Sequence, residues 1–294
     1  MVSYLDAGLA PVRNTGQIKL HGPEGFAGMR AASQLTARCL DEVAALVRPG
    51  ATTAAIDRFV AEFARDNNAF PATLNYRGYG YSSCTSVNHV VCHGFPSEKP
   101  LREGDILNVD VTLVLDGWHG DSSRMYVAGQ PKRAAERLIE ITHDCLMAGI
   151  AAVKPGNTVG DIGHAIQTLA ESERCSVVRD FCGHGLGRLF HDAPNILHYG
   201  EPREVVEAKR ARVPQHKRKA EDEPIYLKPG MIFTIEPMIN LGRAHVKVLK
   251  DGWTAVTRDR SLSAQFEHSV GVTQDGCEIF TLSPAGHTRP PYPA

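Results

Sequence analysis

The chain repeats itself. VRPGATT (Val47–Thr53) returns as VKPGNTV (Val153–Val159), and LREGDILNVD (Leu101–Asp110) returns as LKPGMIFTIE (Leu227–Glu236), in the same order. Each copy reads as a helix stopped at Lys/Arg-Pro-Gly, a second helix capped by Thr, and later an apolar strand. The pattern predicts a duplicated α+β unit. The alignment sets Asp110 opposite Glu236, so each half carries an acid at the end of the same strand. The first match has an offset of 106 residues and the second 126, so the second half holds about 20 extra residues. The candidate is Glu201–Pro224, which has almost no large apolar side chain and reads as a charged surface insertion. A solvated loop and an RNA-contacting loop both remain open for it, the second on the basic clusters KRAR and HKRK.

Composition enters as a set of exclusions. With 43% hydrophobic residues the chain has ample core material, and its formal net charge of −1 argues against broad binding to DNA, RNA or anionic membrane. The seven cysteines are odd in number and irregular in spacing, with no Cys-x-x-Cys, which reads as reduced thiols in a reducing compartment. Neither a signal peptide nor an apolar run of about 18 residues is present, so a cytoplasmic protein is expected.

Residues 1–23 read as a polar N-terminal arm. Apolar spacing predicts a helix over Met29–Val47, then a second capped at Thr52 or Thr53 and carrying Ile56, Val60 and Phe63. Short strands and loops are expected over 70–100. Pro131 reads as the first turn of another helix with Leu138, Ile141, Cys145 and Ala148 on one face. Thr158-x-x-Asp161 reads as a capping box. Residues 24–284 are expected to form one domain, with 285–294 as a C-terminal tail.

The chemistry begins in NVDVTLVLDGWHGD (Asn108–Asp121), an apolar strand that carries an acid into its own interior. A two-residue turn at Asp116-Gly117 sets Leu115 against Trp118 and Thr112 against Asp121. Asp110 then shares a face with Asp121 as its diagonal neighbour. On the hairpin alone, a proton-sharing pair or two separate surface acids are equally open. Three later segments add to it: FCGHGLG holds His184 among glycines, which let backbone approach a ligand, while IFTIEPM and AQFEHSVGV place Glu236 and Glu267 in apolar strands. Asp110, Asp121, Glu236 and Glu267 sum to a charge that two divalent ions neutralise. Carboxylates with an imidazole suit Mn²⁺, Fe²⁺, Co²⁺ or Zn²⁺. Two such ions about 3.5–4 Å apart share a water and bring its pKa towards 7.

The motifs VVCHG, NVDVTLVLDGWHGDSSRMY, FCGHGLGRLFHDAP, LKPGMIFTIEPMI and DGWTAVTRDRSLSAQFEH resemble the methionine aminopeptidases of type I, over roughly Glu24 to Thr281. The resemblance implies the pita-bread fold, a pseudo-twofold duplicated α/β unit with an antiparallel sheet core. It implies removal of the initiator methionine from nascent polypeptides with a small second residue, by a hydroxide activated between two metals. Asp110 would be a terminal ligand of one metal, Asp121 and Glu267 would bridge both, and His184 and Glu236 would complete the other site. Glu236 would also shuttle the proton to the leaving amine. His93 would meet the scissile amide or the tetrahedral intermediate, and His191 the substrate carbonyl. Tyr76, Tyr79, Cys84, Phe190 and Trp253 match the pocket for the Met side chain. Asn88, Val90 and Ser263 match a site for Na⁺ or K⁺. The implied partners are nascent chain N-termini, with the ribosome as a candidate contact, and the implied state is a monomer. The same ligand scheme serves X-Pro peptidases, and a relative that only binds would lack ligands; here all five positions are filled.

Overall fold

The computed structural model describes residues 2–219 and 223–292. Residues 220–222 of the charged insertion therefore lie outside the described residues. The first half runs β1 (Tyr4–Asp6), β2 (Ile18–Leu20), α1 (Pro23–Val43), α2 (Thr53–Asp66), β3 (Phe70–Pro71), β4 (Cys84–Val87), β5 (Val90–Cys92), β6 (Asp105–Leu115) and β7 (Trp118–Ala128). The second opens with α3 (Arg133–Ala151), α4 (Val159–Ser172), β8 (Ser176–Val177), β9 (Gly183–Gly185), β10 (Asp192–Ile196) and α5 (Arg203–Ala211). It continues through β11 (Ile232–Ile235), β12 (Met238–Asn240), β13 (Val246–Val248), β14 (Ala255–Thr257), β15 (Ser263–Gln265), β16 (His268–Val272) and β17 (Cys277–Ile279).

The duplication is visible in the packing. In the first half β3, β4 and β7 pair with the long strand β6, and in the second β11 lies between β9 and β16; these pairings are antiparallel. Leu107, Val109, Val111 and Leu113 of β6 pack in one cluster with Leu40, Val43, Val60 and Phe63 of α1 and α2. Strand side chains alternate faces, so Asn108, Asp110 and Thr112 point the other way. The second core matches it: Phe233, Ile235 and Val270 pack with Leu138, Cys145, Ile162 and Ile166 of α3 and α4. Each half thus spends one sheet face on helices and turns the other towards its twin.

The caps are where the sequence places them. Thr52 Oγ1 accepts the Ala55 N–H (3.2 Å), and Thr158 and Asp161 form the reciprocal capping box. Three local expectations are displaced. Helix α1 starts at Pro23, ahead of Met29, because Gly25 and Gly28 interrupt the apolar spacing there. Gly28 is a packing requirement: a Cβ would stand 2.2 Å from the Trp118 indole nitrogen. Pro131 lies outside α3, whose hydrogen-bond ladder begins at the Lys132 carbonyl. The arm is not featureless either, since β1 and β2 pair in parallel; strands of three residues carry too few positions to show a period. The insertion is a surface excursion: α5 buries none of its residues.

Where α1 crosses β7 there is no room for a side chain. A Cβ on Gly120 would stand 2.4 Å from the carbonyl of Ala32. Gly120→Ala is expected to destabilise the fold by about 2 kcal/mol or more, since a backbone must move. Gly80→Ala, with nothing within 4 Å, serves as its control in urea unfolding. Equal midpoints for the two variants would contradict this account of the crossing.

Candidate active site

The two halves meet along β7 and β16, and the stitching is polar. The Glu267 N–H donates to Ser123 O (3.0 Å), Ser122 Oγ to Glu267 O (2.7 Å), and Ser269 Oγ to Asp121 O (2.6 Å). Asp121 and Glu267 therefore stand on the two segments that form the seam, each with its counterpart acid on the neighbouring strand or its end.

On the first side the hairpin has the expected register. Asp116 and Gly117 take φ of 51° and 79°, Leu115 faces Trp118, and Thr112 faces Asp121. Positive φ at both turn positions matches the right-handed strand twist, which is why Asp-Gly serves here. Thr112 Oγ1 donates to Asp121 Oδ1 at 2.6 Å.

On the second side the placement differs from the sequence expectation. Glu236 and Glu267 lie at breaks between strands, not within them. Strand β11 ends at Ile235 because Pro237 has no N–H to continue the ladder. Glu267 falls between β15 and β16 because its N–H is drawn across the seam to Ser123. The glycines around His184 also have another purpose. A Cβ on Gly183 would stand 2.3 Å from Thr234 O, and one on Gly185 2.1 Å from Ala193 O, so they admit neighbouring backbone rather than a ligand.

These placements bring the side chains together. His184 Nδ1 lies 3.2 Å from its neighbour's Gly185 O, which assigns the ring proton to Nδ1 and leaves the Nε2 lone pair free. Nε2 is 3.7 Å from Asp121 Oδ2 and 3.6 Å from Glu236 Oε1. Ligand atoms of Asp121, His184 and Glu267 all lie within 4.8 Å of one another. Burial pushes the Asp110 carboxyl up to about 7. Asp121, Glu236 and Glu267 are held well above the usual carboxylate range by burial first, then by the Asp110 charge on Asp121 and the Asp121 charge on the two glutamates. Among the described residues no Lys or Arg side chain forms an ion pair with any of the four. Mutually repelling carboxylate oxygens around one imidazole lone pair fit divalent metal, which would supply the missing positive charge.

The cluster lies on the wall of a cavity of about 390 Å³ that is also lined by Tyr76, Tyr79, Cys84, His93, Phe190, His191 and Trp253. Tyr76 packs against Phe190 (5.0 Å between centroids) and stacks on His191 (5.2 Å), while Tyr79 meets Trp253 edge-on at 5.2 Å. The Tyr79 hydroxyl is tied to Ser83 O (2.9 Å), so the cavity is offered its ring. Burial pushes the Cys84 thiol far up, which keeps it a neutral, soft wall group rather than a thiolate. His93 follows β5 in the left-handed region (φ 56°), a backbone state that costs a branched-free side chain of this size about 1 kcal/mol or more. Burial pushes its pKa down to about 4, so the ring is neutral at pH 7. Elsewhere, Asn88 O accepts the Ser263 N–H (2.9 Å), and the buried Ser263 Oγ has no hydrogen-bond partner among the described residues.

Several residues around the acids carried no sequence signal. Thr234 Oγ1 accepts the His184 N–H (3.1 Å) and donates to Glu236 Oε1 (3.0 Å). His198 Nε2 accepts the Glu236 N–H (3.1 Å), and Gln265 Nε2 donates to Glu236 Oε2 (3.3 Å). Each sits far from Glu236 in sequence or, for Thr234, two residues away, with no motif of its own. Asn14, Asp192 and Asn195 also line the cavity.

Comparison with known proteins agrees with this geometry. Residues 27–274 match the model of metallopeptidase family M24. The methionine aminopeptidase of Rickettsia prowazekii (strain Madrid E) is 50% identical over 276 residues, 94% of this chain and 99% of that protein. That of Escherichia coli (strain K12) is 44% identical over 267 residues, 90% of this chain and 94% of the other. The crystal structure of the Rickettsia prowazekii enzyme superposes with a TM-score of 0.83 at 50% identity, covering 90% of this chain and all of that one. The duplicated architecture is the pita-bread fold, and the chain belongs to metallopeptidase family M24, among the methionine aminopeptidases.

Proposed function

We propose that this protein removes the N-terminal methionine from polypeptides whose second residue is small. The observation that carries the reading is the meeting of four carboxylates, Asp121 and Glu267 buried and Asp110 and Glu236 half-buried, with His184 on the wall of a cavity whose other side is aromatic. Asp110, Asp121, His184, Glu236 and Glu267 would hold two divalent ions, Co²⁺, Mn²⁺, Fe²⁺ or Zn²⁺, which when bound supply an acidified water and a Lewis acid for the peptide carbonyl. The chain's own residues do the rest. Tyr76, Tyr79, Phe190 and Trp253, with the Cys84 thiol, enclose the methionine side chain, whose unbranched thioether gains from sulfur–ring contact. Neutral His93 hydrogen-bonds the scissile amide, and His191 at the cavity rim meets the carbonyl oxygen as charge develops there. Glu236, oriented by Thr234 and Gln265, takes the proton from the attacking water and hands it to the leaving amine. Asn88, Val90 and Ser263 would hold a Na⁺ or K⁺ beside this frame. The partners that follow are nascent polypeptide N-termini, met at the ribosome in the cytoplasm, with the protein working as a monomer.

The test is peptide hydrolysis by protein stripped of metal and then given Mn²⁺ or Co²⁺. Release of Met from Met-Ala-Ser is expected only with metal, and little from Met-Lys-Ser. Hydrolysis of Ala-Pro in its place, or of nothing with any divalent ion, would overturn the reading.

A further inference from the structure

We propose that the N-terminal arm builds a subsite for the main chain of substrate residues downstream of the scissile bond, with Asn14 and Asn195 as its hydrogen-bonding side chains. The inference rests on the aminopeptidase reading and extends the same cavity. Asn14 belongs to the loop between β1 and β2, far in sequence from any catalytic motif, yet it lines the catalytic cavity together with Asn195. Asn195 is paired across the sheet with His184, so its position relative to the acids is set by the β9–β10 ladder.

Both carboxamides have capacity to spare. Asn14 Oδ1 accepts the Gly16 N–H (2.8 Å), which fixes the side chain in a local turn and leaves the Nδ2 group as a donor. The Asn195 side chain is exposed and makes no hydrogen bond among the described residues. A carboxamide offers the donor and acceptor of a peptide group itself, so such a pair reads backbone without regard to side chain. That suits an enzyme whose substrates share an N-terminal Met and a small second residue and then differ.

The loop is held in place by a buried ion pair. Lys19 Nζ lies 2.7 Å from an Asp192 oxygen, with side chains only 11% and 6% exposed, and it also donates to Arg13 O (3.2 Å). One ammonium thus joins the residue before Asn14, strand β2 and the segment that follows His191. Asp192 also lines a second cavity of about 330 Å³ between arm and core, walled on the arm side by Ala10, Pro11 and Val12. Asp192 thus stands between the catalytic cavity and the arm, on which Leu9 and Val12 are 80% and 67% exposed.

The experiment compares kcat/KM for Met-Ala amide and Met-Ala-Ser-Gly-Ser amide in the metal-loaded full chain, its Asn14→Asp and Asn195→Ala variants, and Lys19→Met. Asn14→Asp keeps the acceptor that makes the turn and removes the Nδ2 donor, while adding a negative charge that the neutral Asn195→Ala variant does not carry. In the wild type the longer peptide is expected to be preferred, and each asparagine variant should reduce that preference about two- to tenfold, the range of one hydrogen bond. Lys19→Met should reduce it too, through a higher KM for the longer peptide. A wild type indifferent to length, or a preference unchanged in both asparagine variants with unfolding midpoints like the wild type's, would overturn the subsite. Absence of Met release from either peptide by the wild type would instead overturn the function it rests on.

Discussion

Asp121→Asn is expected to lower kcat/KM for Met-Ala-Ser by at least about 10³-fold, the order that one preorganised electrostatic group is worth, while making the metal-free protein harder to unfold. The two effects come from one position. Asp121 is 3% exposed, lies on the seam between the halves, and is the acid nearest His184 Nε2 after Glu236. Its carboxylate is also part of the repulsion that raises the pKa of Glu236 and Glu267, for both of which it is the leading charge. Asparagine keeps the shape and still accepts from Thr112 Oγ1, but removes one negative charge from a close set of four acids. Without metal the fold is relieved; with metal an anionic ligand is missing. A purely structural Asp121 would behave differently, losing stability and activity together. Urea unfolding in a chelator beside activity in Mn²⁺ separates these, and a less stable metal-free variant would sink the argument.

The wild-type protein should show the same repulsion through pH. Asp110 titrates near 7 in the folded state against about 3.9 in an unfolded chain, so the folded state binds its proton more tightly. Unfolding then releases protons, and the group's contribution to stability falls as pH rises between those values and is gone above the folded pKa. Asp121, Glu236 and Glu267 shift in the same direction and add to the fall. Histidines work against this on the acid side. Burial pushes His93 and His184 down to about 4, and His198 and His268 to about 3, so between there and about 6.5 they favour higher pH. Above about 6.5 only the carboxylate effect of these two sets remains. The metal-free protein is therefore expected to lose thermal stability from pH 6.5 to about 7.5, as Asp110 titrates, at up to about 1.4 kcal/mol per pH unit for each titrating group. Adding Mn²⁺ at pH 8 should reverse the loss. A melting temperature that rises or stays flat over this interval in chelator would contradict the account.

The part of this protein that is legible in the sequence is the part made by near neighbours. Asp116-Gly117 dictates its turn, the turn dictates the register, and the register sets Thr112 against Asp121 with Asp110 diagonal to both. Thr52 and Thr158 cap helices because the groups they satisfy lie three residues away. The four acids and His184 could be gathered from sequence because charge in an apolar strand is costly and needs a reason. What tertiary structure alone decided is how the second pair of acids is aimed and what holds it. Glu236 and Glu267 turn into the cavity at breaks made by Pro237 and by the reach of the Glu267 N–H to Ser123, a contact between halves. His198 and Thr234 support Glu236 and His184 through bonds that period-2 alternation cannot express, and Asn14 reaches the cavity only because a buried Lys19–Asp192 pair holds the arm there. Turn and cap energies are local and leave a pattern in adjacent letters. Seams, buried ion pairs and close backbone crossings exist only once distant segments have packed, and a single chain of letters carries no period for them.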